Sequence, residues 1–181
     1  MEEDYEQHLK IPKERVAVLI GSKGKSKKEI ETATKTKVQV GSEGDVTIKG
    51  ESFNTWMASH LVKAIGRGFS PKNSMLLTDE DYGFEIVELS DWANNDKQMT
   101  RMKGRVIGAA GKSKDTISEL MDCHISVYGK TIGIIGPINR IQIARKAVEM
   151  LLGGAMHSTV YRMLEGERKK LRRREILGGE V

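Results

Sequence analysis

The chain has 181 residues, 38% of them apolar, with a formal charge of +5 and a pI near 9.2. That length suits two small cores or one medium one, and the single cysteine, Cys123, excludes an internal disulfide framework. No run approaches the roughly 18 apolar residues of a membrane span, and the acidic opening MEEDYEQHLK lacks the features of a signal peptide, so a cytoplasmic protein is expected.

In chain order, EQHLKIP reads as a short strand ended by Pro12, and KERVAVLIG as an apolar run that is strand or helix by periodicity alone. After the turn GSKG, KSKKEIETATK reads as a helix. Ser26 and Glu29 have capping-box spacing, and Ile30, Ala33 and Thr34 share one face. KVQV and DVTIKG alternate as half-buried strands around the loop GSEG. ESFNTWMASHLVKAIGRG reads as a helix with Phe53, Met57, Leu61 and Ala64 or Ile65 on its inner side. The second half repeats the order. FEIVELS is a strand, RMKGRVIG leads into the turn GAAG, KSKDTISELMD is a helix, HISVYG and TIGIIG are strands, and PINRIQIARKAVEMLL is a helix opened by Pro137. A last helical segment, AMHSTVYRMLEGERKKLRRREILGG, has no counterpart in the first half; Val160, Met163 and Leu164 are placed to dock it.

A shift of 87 positions brings Ile20, Gly21, Gly24, Lys25, Ser26, Lys27, Ile30 and Val40 onto identical residues, eight matches in 21 positions. After a one-residue length change Ala58 and Val62 fall on Ala144 and Val148. Two copies of one α+β unit are therefore expected, each a domain rather than a solenoid repeat. Domain boundaries are set at 1–70 and 78–154, with a linker at 71–77 and a basic tail at 155–181.

Charge is uneven. Residues 13–37 hold eight basic side chains against three acidic ones, residues 78–96 hold seven acidic and no basic ones, and the tail holds seven basic ones. The acidic stretch repels phosphate and limits where a polyanion runs, while the basic runs coincide with the first turn and the tail. In each turn two glycines permit a sharp bend and close approach of an anion, a helix starts there, and lysines follow. The phosphate-binding candidates are Gly21, Ser22, Lys23, Gly24, Lys25, Lys27 and Lys28 in the first copy. Arg105, Gly108, Ala109, Ala110, Gly111, Lys112 and Lys114 are their counterparts in the second, and Arg168, Lys169, Lys170 and Arg172 are candidates in the tail.

The Ile-Gly-x-x-Gly turns LIGSKG and VIGAAG, set within this element order, resemble the type I KH domain. The resemblance covers about 140 of the residues. It implies a three-stranded antiparallel sheet packed on three helices, makes the ambiguous run before each turn a helix, and implies that each turn clamps about four single-stranded nucleotides. By the same resemblance Val38, Val40, Ile125 and Val127 contribute to an aliphatic groove for bases. Two KH units, an acidic stretch and the segment MHSTVYRMLEGERKKLR are similar to the KH-type assembly factors of the small ribosomal subunit. This implies a single-stranded RNA partner, small-subunit rRNA or its precursor, together with the endonuclease that matures its 3′ end and other assembly or translation factors. Keeping both G-x-x-G turns fits an archaeal-type member.

Two other classes fit the sequence less well. Exosome KH subunits pair one KH unit with an S1 barrel, which is not visible in this sequence. The two Gly-Lys-Ser runs invite an NTPase, but a P-loop needs a glycine where Leu19 and Val106 stand. His8, His60, His124 and His157 show no metal-ligand spacing, and Cys123 reads as a small buried residue. A binding protein without catalysis, cofactor or metal is expected.

Overall fold

The structure, a computed structural model, describes residues 5–178; the expected ends of the first domain and of the tail, 1–4 and 179–181, lie outside the described residues. The chain divides into two compact units, Met1–Phe84 and Glu85–Val181.

The first unit runs β1 (Tyr5–Lys10), a 3-10 turn, α1 (Val16–Ile20), the GSKG turn, α2 (Lys25–Thr34), β2 (Lys37–Val40), β3 (Asp45–Gly50) and α3 (Ser52–Gly66). The run left open by periodicity is thus helical. It is a short helix that follows Pro12 and drops Leu19, fully buried, into the core. In the sheet β3 lies between β1 and β2, antiparallel to both, in a register that pairs Leu9 with Val46 and Val38 with Ile48. Alternation does the rest: Val46 and Ile48 point inward onto Leu61, Val62 and Ile65 of α3. Phe53, expected on that inner side, is 57% exposed and stacks on Trp56 instead. The buried line of α3 runs through Thr55, Ala58, Leu61, Val62 and Ile65, and Phe53 lies off it.

The stretch 71–77, expected as a linker, is ordered against the first unit. Ser70 caps a short helix, α4 (Pro71–Ser74), by accepting from the Asn73 N–H. A 3-10 turn, Met75–Thr78, then lays Met75 and Leu77 against the first core.

The second unit repeats the plan with β4 (Tyr82–Glu88), α5 (Asp96–Ile107), the GAAG turn, α6 (Lys112–Met121), β5 (His124–Tyr128), β6 (Thr131–Pro137) and α7 (Ile138–Leu152). Its sheet order is β4-β6-β5, and both sheets are antiparallel. A long helix, α8 (His157–Ile176), then docks on it, with Val160 and Leu164 fully buried and Met163 packed beside them. No helix among the described residues is long and apolar enough to cross a membrane.

Cys123 lies in the second core at 4% exposure, and Gly136 is glycine because a Cβ there would stand 2.7 Å from the Cys123 Cβ. Burial, with a smaller contribution from the neighbouring Asp122 carboxylate, pushes its thiol up to about 12. The unfolded thiol ionises near 9.0, so this stabilisation is complete below pH 9 and is lost as the pH climbs from 9 towards 12. At pH 8 a thiol reagent should therefore label the native protein at least about 100-fold more slowly than the urea-unfolded chain. Equal rates would show that the second core is open.

Candidate nucleic-acid interface

The two turns have the same backbone. In the first, Gly21 has φ 73° and ψ 176°, Lys23 has φ 51°, and Gly24 has φ 76°. In the second, Gly108 has φ 74° and ψ 175°, Ala110 has φ 52°, and Gly111 has φ 79°. Three residues in four are left-handed in each, a conformation that disfavours side chains except at the apex, where one non-glycine residue is held in it.

The two glycines of each turn have different reasons. A Cβ on Gly21 would come within 2.3 Å of Ser26 Oγ, and one on Gly108 within 2.6 Å of Ser113 Cβ, because the first turn of the following helix folds directly over the first glycine. A Cβ on Gly24 would meet nothing within 4 Å, and one on Gly111 only the Asp115 carboxylate at 3.6 Å. The first glycine permits close packing, and the second keeps an outward-facing bend. Inside the bend the Gly24 N–H donates to the Gly21 carbonyl and the Gly111 N–H to that of Gly108. Ser22 and Lys23, like Ala109 and Ala110, sit exposed at the apex.

The capping box expected from Ser26 and Glu29 does not form. The N-cap is Gly24, and Ser26 is already helical with its side chain behind Gly21. The equivalent Ser113 is buried and its Oγ has no hydrogen-bond partner among the described residues. Packing under the turn, not capping, places serine at both positions.

Both helices begin at the turns, so their N-terminal dipoles bring partial positive charge there. Lys25 and Lys27 lean on Glu29 and Glu31, at 3.8 Å and 3.3 Å. Lys23 and Lys28, and likewise Lys112 and Lys114, form no ion pair among the described residues. The exposed Lys25–Glu29 pair is worth only about 0.3–0.5 kcal/mol, so an incoming phosphate can outcompete that carboxylate, whereas the Lys27–Glu31 pair is half-buried. Glu31 has a further role, accepting from the Val38 N–H at 2.8 Å and so tying α2 to the edge strand β2.

The groove residues separate in pairs. Val38 and Ile125 are 1% and 8% exposed and belong to the two cores, so they offer no surface to a base; the strand alternation turns them inward. Val40 and Val127 remain half-buried and accessible. Ile20 and Ile107, next to the first glycines, are accessible apolar side chains that the sequence reading left out of the candidate groove; Ile107 keeps 36% of its surface exposed. Their identity across the repeat was the available signal.

Arg105 is also put to a different use. Its guanidinium donates to the carbonyls of Leu151 and Ala155 at 2.8 Å and 2.6 Å, while its own carbonyl lies 2.8 Å from the His157 ring. Arg15 makes the matching pair of bonds to Ile65 and Phe69 in the first unit. Each arginine pins the helix before the turn to the end of the long helix. In the tail, Lys169 is exposed, Lys170 pairs with Glu167 at 2.7 Å, and Arg168 and Arg172 line a recess with Glu119 and Asp122. The Gly-Lys-Ser runs are entered from helices, α1 and α5, whereas a P-loop is entered from a strand.

A sheet of three antiparallel strands packed on helices, with a left-handed Gly-x-x-Gly bend between two of them, twice in one chain, defines a tandem type I KH protein. The comparisons agree: residues 83–169 match the family described as eukaryotic type KH-domain (KH-domain type I), and residues 6–64 match the KH domain family. A KH domain-containing protein of Methanocaldococcus jannaschii is 45% identical over 170 residues, covering 91% of this chain and 75% of that one. A crystal structure of a protein of unknown function from Aeropyrum pernix superposes with a TM-score of 0.90 at 36% identity, covering 97% and 96% of the two chains. Dim2p from Pyrococcus horikoshii gives 0.83 at 44% identity, covering 89% and 98%. The chain belongs to the family of tandem KH proteins that includes these relatives.

The asymmetry of the glycines gives a direct check. Gly108→Ala collides with the α6 backbone, since Ser113 N stands 2.7 Å from the new Cβ, and should cost well over 2 kcal/mol. Gly111→Ala has room and should cost about 1–2 kcal/mol for its left-handed φ. Urea unfolding of the two variants measures the difference, and equal losses would contradict the packing argument.

Proposed function

We propose that the protein grips single-stranded RNA with both G-x-x-G turns and acts as an assembly factor at the 3′ end of small-subunit rRNA. The observation that carries this reading is the pair of matching turns in a chain 43% identical to a protein solved in an a/eIF2alpha-aDim2p-rRNA complex from Pyrococcus horikoshii, with a TM-score of 0.86 and coverage of 92% and 96%. KH domains hold about four nucleotides of backbone at this turn and read unstacked bases beside it. Here the phosphates lie against the apex and the helix N-termini, and Lys23, Lys25, Lys112 and Lys114 supply mobile charge. The bases lie towards Ile20 and Val40 in one unit and Ile107 and Val127 in the other. Few aromatic side chains are available, so edge contacts and aliphatic packing outweigh stacking.

The role is binding without catalysis, in the cytoplasm. Translation factors of the kind found in that complex, and the endonuclease that matures the rRNA end, are the protein partners it implies.

Competition between the authentic rRNA 3′ sequence and a scramble of equal length, at matched salt, tests the target. The authentic sequence should win by at least about tenfold; indifference would reduce the protein to a general single-strand binder. Placing two carboxylates in each apex, Ser22→Asp with Lys23→Asp and Ala109→Asp with Ala110→Asp, should weaken RNA binding by repulsion while leaving the glycines and the fold intact. Unchanged affinity in both variants would remove the clamps from the account. Two clamps and a basic tail neutralise about 4–6 phosphates, so the log–log salt slope should lie near −3 to −4.

A further inference from the structure

The repeat breaks at one place. Past the long helix the two units keep step: with the 86-residue shift that relates this part of the repeat, Pro71, where α4 starts, falls on His157, where α8 starts. Ser74 and Val160 match as buried residues of the two segments. The second unit then continues as helix to Ile176, whereas the first stops at Thr78 and enters a turn in which the Tyr82 N–H donates to the Asp79 carbonyl. The first unit therefore lacks the distal half of α8.

In the second unit that distal half lies over the end of α6. Leu171 is 8% exposed, and it borders a recess together with Leu120, Glu119, Asp122, Arg168 and Arg172. Arg140 of α7 adds ion pairs to Asp122 at 3.7 Å and to Glu175 at 2.7 Å. The covering helix is basic and the helix beneath it presents acidic groups.

In the first unit the described residues supply no such helix over the corresponding part of α2. Thr32 and Ala33, the counterparts of Glu119 and Leu120, are exposed. A recess of about 830 Å³ opens beside them, bounded by Lys25, Lys28 and Glu29 of α2 and by Lys72 and Met75. The smaller Ala33 in place of Leu120 deepens it. Its charge is reversed as well: Lys28 stands where the second unit has Asp115, and Lys35 where it has Asp122. Lys27 lies on another side of α2, where it pairs with Glu31 and Glu31 with the edge of β2, whereas Lys25 and Lys28, phosphate candidates at the turn, also border this recess. Residues 25, 28, 29 and 32 point the other way around the helix.

We propose that this recess docks an amphipathic helix of a partner protein whose polar face is acidic, seated where the second unit seats its own α8. The internal copy supplies the template: a helix parked on the equivalent surface, an apolar anchor at the position of Leu171, and flanking charges opposite in sign to those beneath. The basic rim of the first unit selects against a second copy of α8 by like-charge repulsion and for the reversed pattern. The recess shares Lys25 and Lys28 with the proposed phosphate site, while Thr32, Ala33, Lys72 and Met75 belong to the recess alone, so substitutions at Ala33 and Lys72 test the docking without touching the RNA reading.

The probe is a synthetic peptide of residues 157–176 in which Arg168, Lys169, Lys170, Arg172, Arg173 and Arg174 are replaced by Glu. Its binding to the full-length protein is compared with that of the unaltered peptide by fluorescence anisotropy at about 0.15 M salt. The acidic peptide should bind and the native basic one should not. Ala33→Glu with Lys72→Glu, both exposed positions outside the turns, should weaken the acidic peptide at least about tenfold and admit the basic one, with RNA affinity unchanged. The proposal is overturned if the acidic peptide fails to bind. It is equally overturned if the peptide binds the double variant as well as the wild type, or if the wild-type protein takes up the native α8 peptide.

Discussion

The structure depends on one close approach, that of a helix to the first glycine of the turn that leads into it. At Gly21 and again at Gly108 the first turn of the next helix packs so near that a methyl group would overlap Ser26 or Ser113. With no Cβ there, the chain reverses between two helices within four residues and leaves the apex pointing at solvent. The helix axis, its dipole and the lysines that follow are all aimed by that bend. Arg15 and Arg105 serve the same arrangement from the other side by fixing the helix that enters it to the end of the long helix.

Because the backbone of the two turns is the same while their apex residues differ, shape and charge separate cleanly. The first apex carries Ser22 and Lys23, and the second carries two alanines. Beside the first apex, Lys25 and Lys27 are partly neutralised by carboxylates one turn along, whereas Lys112 and Lys114 form no such pairs among the described residues. The advantage in charge that the first copy shows in sequence is therefore smaller at the site than a count of lysines suggests. On the proposed reading, two clamps tethered in one chain would raise affinity through effective concentration without any new contact.

The repeat, the turns and the order of elements were legible because each has a local signature: glycine pairs at a fixed offset, alternation in strands, a 3.6-residue period in helices. What was not legible depends on packing. Ser26 has the spacing of a capping residue, but the turn brings Gly21 over it and a glycine takes the cap. Val38 looks like a groove residue and is core, since the direction of a strand's alternation is set by the sheet and not by the strand. Arg105 reads as a phosphate ligand, yet carbonyls 46 and 50 residues away hold it. Residues 71–77 look like a linker and instead form a truncated version of α8.

The central claim is that both turns hold the backbone of single-stranded RNA. Amide chemical shifts of an isotope-labelled sample, recorded while a short single-stranded RNA is added, test it most directly. The account predicts saturable shifts at Ser22–Lys25 and at Ala109–Lys112, accompanied by Val40 and Val127. Shifts confined to the basic end of α8, with both turns silent, would contradict it.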